Sequence, residues 1–334
     1  MLRILHDTKI DFIRLWKVTT AVTLAFILPG MILVATQGYR YSIEFTGGTL
    51  MQVHFNTPPN VADIRSSLDG AGLAGAEIAE FGSKSDFVIR AQDKRHVAEQ
   101  GSGAESVGNE MRAALTQKFG AGAFTVQRSE AVGPKVGGEL RQKALYAVLL
   151  SFLVTLIYLA FRFEWRFGVA AVIATAHDIL ATLAFIKYMN MEISLIVVGG
   201  ILTMIGYSLN DTIIIFDRVR ENLRKKRRES LYDTLNRSVN ETLPRSVLTH
   251  STTFATLLAL ALLGGEVIRP FALVMLFGVV TGTFSSIYVA SPILLYIETR
   301  WPRAVGEHGG VGPRASPKRG KSERTGERPI AAAR

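Results

Sequence analysis

Cysteine is absent from all 334 residues. That excludes disulfides and thiolate metal sites, but it leaves the compartment open, because a chain without cysteine can face either side of a membrane. Histidine is scarce at 6. No nucleophile elbow or Walker glycine loop accompanies it, so neither an enzyme nor a metal or organic cofactor is expected. Acidic residues are also in deficit, with 28 Asp plus Glu against 38 Lys plus Arg and a net charge of +10. A positive mean hydropathy beside that basic excess fits a multi-span membrane protein with basic loops and not a soluble globular one.

What is present in quantity is long apolar runs. Residues 18–36 follow a basic segment, 1–17, and match the roughly twenty residues needed to cross about 30 Å of hydrocarbon. The run is too long, and Leu33 too bulky at the −3 position before Ala35, for a cleaved signal peptide, so it reads as an anchor. Pro29 and Gly30 are expected to kink it. Further runs at 143–161, 167–188, 193–216, 244–264 and 270–298 bring the total to six spans. The loops richest in Lys and Arg are the N-terminal segment, the 162–166 turn, the segment 217–243 and the tail 299–334. By the positive-inside rule both termini are cytoplasmic, and the tail, poor in large apolar groups, is expected to be disordered. Its charge suits lipid headgroups or ribosomal RNA only in a non-specific way, and the seven basic residues between Arg218 and Arg228 read as a topological anchor near anionic lipid, with a docking site for a partner as the alternative. Leu231, Leu235 and Val239 repeat every fourth residue, as in an amphipathic helix lying before the fifth span.

Between the first two spans, residues 37–138 have balanced charge and lower hydropathy. Strand-like alternation at 50–55 is followed by a helical stretch at 61–73, two strands at 77–81 and 87–91 around the turn GSKSD, a helix at 107–119 and a strand at 124–127. The order βαββαβ is the ferredoxin-like pattern, here as an α+β domain inserted on the external side. The FTGGT run, 45–49, lacks the lysine and following helix of a phosphate loop and reads as a tight turn.

Candidate chemistry centres on Asp211 inside the fourth span. An Asp at the middle of a bilayer helix costs roughly 3 kcal/mol, so it needs a compensating environment. Helical spacing puts Gly200, Met204, Tyr207 and Ser208 on its face. Arg245, Thr249, Thr252 and Thr256 form one polar stripe on the fifth span, which is expected to start at Pro244. Asp211 lies about five residues, roughly 8 Å, from the same membrane face. A movement bringing Arg245 to Asp211 or taking it away would switch the carboxyl's proton, and a permanent structural ion pair is the alternative. In the third span His177 and Asp178 are sequence neighbours expected on different faces, hence not an acid–base pair. Either extends a relay toward Asp211 or bonds a neighbouring helix. His250 reads as a core histidine.

The motifs FTGGT, VGPKVGGEL (132–140), HD (177–178), GYSLNDTIIIFDRVREN (206–222), TLPRSVLTHSTT (242–253) and SSIYVASPILLY (285–296), in this order, closely resemble the SecD/SecF family on its SecF side, within the RND superfamily. The resemblance covers about residues 10–300. It implies an accessory subunit of the bacterial Sec translocase in the cell (inner) membrane, partnered by SecD and the SecYEG channel. It further implies that the proton gradient is used to draw exported polypeptide across. By motif, Asp211 matches the family's proton-responsive aspartate, Arg245 the arginine that interacts with it, and Asn210 the residue before it. Glu44 stands where the family usually has Asp before FTGG.

Overall fold

The computed structural model describes residues 8–91, 103–225 and 229–302. The expectations for residues 1–7, for the basic triplet 226–228 and for the tail from 303 onward fall outside the described residues. Six helices are long and apolar enough to cross a membrane: α1 (Trp16–Gln37), α5 (Pro134–Arg162), α6 (Trp165–Tyr188), α7 (Leu195–Lys225), α8 (Leu231–Leu263), and a last span in which α9 (Gly265–Ser285) passes through a π-helical turn, Ser286–Ala290, into α10 (Ser291–Arg300).

Burial separates these helices into a centre and a rim. About half of the apolar stretch of α6, α7 and the last span is buried (50%, 56% and 56%), against 11%, 6% and 17% for α1, α5 and α8. The centre is drawn tight by small residues. A Cβ on Gly282 would stand 2.9 Å from the Cβ of Ser208, and one on Gly278 would stand 2.2 Å from Cγ of Met204, so the last span can lie against α7 only because these positions are glycine. Gly30 does the same for α1 against Ala184 of α6. Pro29 remains inside α1.

Between α1 and α5 the chain forms β1 (Arg40–Tyr41), a short helix α2 (Ile43–Thr46), β2 (Gly48–Phe55), α3 (Val61–Gly70), β3 (Glu77–Phe81), β4 (Ser83–Ala91), α4 (Gly103–Phe119) and β5 (Phe124–Val132). The four longer strands make an antiparallel sheet in the order β3-β4-β2-β5. Alternation along β2 buries Met51, Val53 and Phe55 against Ile64 and Leu68 of α3 and Met111 and Leu115 of α4, a core separate from that of the long helices. The turn expected at GSKSD is confined to Gly82, whose φ of 78° permits Phe81 to pair directly with Ser83, so β4 starts earlier than its apolar residues indicate.

The segment between α1 and α5 is fixed to the helices at four places. β1 pairs in parallel with β6 (Glu192–Ile193) ahead of α7. Gly137 in α5 sits on the FTGGT turn, where a Cβ would come 2.8 Å from the Gly47 nitrogen, so the two glycine motifs pack against each other. Arg40 and Arg90 both pair with Glu77 and Glu192, tying β3 and β4 to the start of α7. Glu44 accepts from the Leu195 amide at 2.6 Å, which caps the first turn of α7.

Several span boundaries differ from the sequence expectation. α7 continues beyond 216 to Lys225, and α5 begins at Pro134. α8 runs unbroken from Leu231, so the surface helix and the fifth span are one helix, with Pro244 in its interior. Packing overrides the proline: Leu235 and Val239 are buried in the helical core, while Asn222 and Arg218 of α7 bond Glu241 at 2.7 and 2.6 Å. Thr299 and Arg300, expected in the tail, end α10.

Candidate functional site

Two carboxylates lie in the middle of the helical bundle. Asp211 on α7 is 2% exposed and Asp178 on α6 is 0% exposed. Asp211 Oδ1 accepts from the Ser246 hydroxyl of α8. Its Oδ2 is buried and has no hydrogen-bond partner among the described residues, and the same holds for the neighbouring Tyr207 hydroxyl. No Lys or Arg of the described residues forms an ion pair with either aspartate, so the seam is polar without a fixed positive charge.

The next residue on α7 extends the seam. Thr212 Oγ1 lies 2.7 Å from Ser286 Oγ, in the π-helical turn of the last span. π turns inside membrane helices free a backbone position and recur at functional sites. Across the bundle, Thr283 Oγ1 lies 2.7 Å from His250 Nδ1, and the His250 ring packs on Tyr207 with centroids 5.4 Å apart. Ser208, one turn before Asp211, donates to Asp178 Oδ2, and Ser285 donates to the same oxygen at 2.7 Å.

The expected face of α7 is the buried one: Gly200, Met204 and Ser208 are buried with Asp211, and Tyr207 is partly so. The expected face of α8 is not. Arg245, Thr249 and Thr252 are exposed. Thr249 and Thr252 satisfy their hydroxyls on the α8 backbone, at Arg245 O (2.6 Å) and Thr249 O (2.9 Å). Asn210 is exposed on α7. The structure therefore brings Ser246 to Asp211 and leaves Arg245, Asn210, Thr249 and Thr252 outside. Adjacent helical residues point about 100° apart, and Ser246 takes the inner position because it lies at helical spacing from Val239, Leu243, Leu257 and Ala261, which are among the buried residues of α8.

The expectation for His177 and Asp178 is also corrected. His177 Nδ1 lies 3.0 Å from Asp178 Oδ1, so the two neighbours do meet. Ser246, Ser285, Ser286 and Thr212 escaped the sequence reading, and Ser208, expected on the face of Asp211, turns out to bond Asp178. A visible signal was the short spacing of hydroxyl residues at 285, 286 and 291, too dense for a helix face turned to lipid.

Residues 111–300 match the family described as "Protein export membrane protein SecD/SecF, C-terminal", and residues 32–59 match the "SecD/SecF GG Motif". The chain is 62% identical over 305 residues to the protein translocase subunit SecF of Gemmatimonas aurantiaca, covering 91% of both chains. It is 36% identical to that of Escherichia coli O157:H7, covering 87% of this chain and 88% of the relative. Among solved structures it superposes on SecDF, a translocon-associated membrane protein from Thermus thermophilus, with a TM-score of 0.78 and 34% identity. That match covers 90% of this chain and 40% of the SecDF chain, so this chain spans less than half the length of that structure. With six membrane-length helices and relatives named SecF along nearly its whole length, the chain is a multi-pass membrane protein that belongs to the SecD/SecF family.

Proposed function

We propose that this chain is an accessory subunit of the bacterial Sec translocase, acting with SecD to use the proton motive force in completing export of a polypeptide through SecYEG. The observation that carries the reading is Asp211: a buried intramembrane carboxylate held on one oxygen by Ser246, with no partner for its other oxygen and no Lys or Arg paired with it among the described residues. Such a group is expensive as a permanent structural feature and suited to gaining and losing a proton. Moving one elementary charge through 100 mV supplies about 2.3 kcal/mol, enough to shift a two-state helix packing by more than tenfold.

On this reading Arg245 acts in a different state of the cycle. A rotation of α8 by one residue would exchange Ser246 for Arg245 at Asp211 and alternate a neutral with a positive partner. His177, Asp178 and Tyr207 border the route, and the outer hydroxyls Thr249 and Thr252 border the path that Arg245 takes. The subunit catalyses no covalent chemistry and needs no cofactor beyond the gradient.

An exposed arginine and three threonines on a membrane helix do not suit lipid, and Asn210 and Thr203 are exposed on α7 as well. A partner subunit of like architecture, SecD, covers this face. The β2–β5 sheet with α3 and α4 is a ferredoxin-like external domain, with both chain termini in the cytoplasm and the helices in the inner membrane, surrounded by its lipids.

The test is Asp211→Asn in vesicles in which assembly with SecD is verified. Loss of gradient-accelerated export with assembly intact supports the reading. Unchanged acceleration reduces the subunit to a scaffold of the translocase, and export of small molecules in its place would mark half of an RND-type exporter.

A further inference from the structure

Asp178 is the most enclosed acid among the described residues, yet the role given to Asp211 assigns it no proton of its own. Three elements converge on it. From α7 Ser208 donates to Oδ2, from the end of α9 Ser285 donates to the same oxygen at 2.7 Å, and from α6 itself His177 Nδ1 lies 3.0 Å from Oδ1. No Lys or Arg of the described residues pairs with it, and the ionisable group facing it is His177, whose Nε2 is buried without a partner among the described residues. On α8, Ser246 and His250 engage Asp211 and Thr283 instead.

We propose that Asp178 is a second proton-binding carboxylate, and that its proton sets the packing of the last span against α7. The inference rests on the proton-coupling reading above. Two hydroxyls donating to one oxygen suit an oxygen that carries no proton. When Oδ2 takes a proton, that oxygen becomes a donor, and one of the two hydroxyls must turn its hydrogen elsewhere. Ser285 has the alternative at hand, since its Oγ already lies 3.1 Å from the Gly282 carbonyl.

That switch lands on the junction that joins the two carboxylates. Gly282 is the close-packing point on Ser208, and Ser285 precedes the π-helical turn whose first residue, Ser286, meets Thr212 beside Asp211. A proton on Asp178 thus alters the hydrogen bond at the entrance of the π turn, and the turn passes the change to the residue next to Asp211. Asp178 acts through these helices and is a positioning residue for the site at Asp211.

The experiment is infrared difference spectroscopy of the full chain assembled with SecD in lipid vesicles, recorded across a pH step, for the unaltered protein, Asp178→Asn, Ser285→Ala and Asp211→Asn. The expected result is a protonated-carboxyl band that disappears in Asp178→Asn, persists in Asp211→Asn, and changes its pH midpoint by about one unit in Ser285→Ala, through loss of one donor. The pH profile of gradient-accelerated export shifts in Ser285→Ala in the same way. A difference spectrum that keeps every carboxyl band in Asp178→Asn overturns the proposal. So does a Ser285→Ala protein, which retains both carboxylates, whose midpoint and export profile superimpose on the unaltered ones. If Asp211→Asn keeps its gradient acceleration while the Asp178 band behaves as expected, the coupling role of Asp211 fails and the second proton site stands.

Discussion

Ser246, and not its neighbour Arg245, donates the hydrogen bond that Asp211 receives from α8. The exchange of a guanidinium for a hydroxyl matters because a hydroxyl can serve either protonation state of the acid, as donor to the carboxylate or acceptor from the carboxylic acid. Ser246→Ala is therefore expected to cost gradient-accelerated export severalfold without loss of assembly with SecD, and Ser246→Thr to retain most of it. Export rates measured with and without an imposed gradient check both. Equal acceleration in Ser246→Ala and the unaltered protein would show that the bond is incidental.

The contact between Gly282 and Ser208 sets the spacing of the last span on α7. A methyl group at Gly282 would meet the Ser208 Cβ at 2.9 Å and its Cα at 3.1 Å, neither of which can swing aside. Gly282→Ala is expected to destabilise the bundle by about 1–3 kcal/mol. Gly199→Ala, which meets nothing within 4 Å, serves as the control and is expected to stay neutral or stabilise slightly. Thermal unfolding of the purified proteins in the same detergent reads the difference.

The sheet carries its own acid sensitivity. The Ser83 hydroxyl, 2.6 Å from Asp86, together with His54 Nδ1 at 2.7 Å, holds the Asp86 carboxyl below its ordinary value of 3.8. An acid that is stronger in the folded state stabilises the fold above its unfolded-state value. That contribution is lost as pH falls through the lower, folded-state value. Protection of Gly48–Phe55 against hydrogen exchange in the full chain, referred to the intrinsic exchange rate at each pH, is expected to fall as pH drops below about 3.8, and Asp86→Asn is expected to flatten this acid limb. An acid limb unchanged in Asp86→Asn would assign the sensitivity to another group.

Much of this architecture could be read in the residues, and the failures have physical causes. Alternation in β2 and the fourfold spacing of Met111, Leu115 and Phe119 announced the order of strands and helices between 48 and 132, because one face of each element is buried. Asp211 was legible as an acid inside an apolar run, and its face of α7 followed from helical spacing. The face of α8 was not legible. Arg245 and Ser246 are both polar, and Arg245 followed by threonines at intervals of 4, 3 and 4 resembles a buried seam even though each threonine can satisfy its hydroxyl on its own helix and face outward. The continuity of α8 through Pro244 was hidden for a related reason. Propensity marks a proline as a start, while the burial of Leu235 and Val239 against other helices is a tertiary fact. The Asp178 hub joins residues 30 and 107 positions apart, and no local pattern encodes such a meeting.

The most direct measurement of the central claim is proton entry during export. Vesicles containing the translocase, SecD and this subunit, loaded with a pH-sensitive dye, are given a preprotein and an imposed gradient. The account predicts proton entry that depends on the exported chain in the unaltered protein and is abolished in Asp211→Asn with assembly unchanged. Undiminished export-dependent proton entry in Asp211→Asn would contradict it.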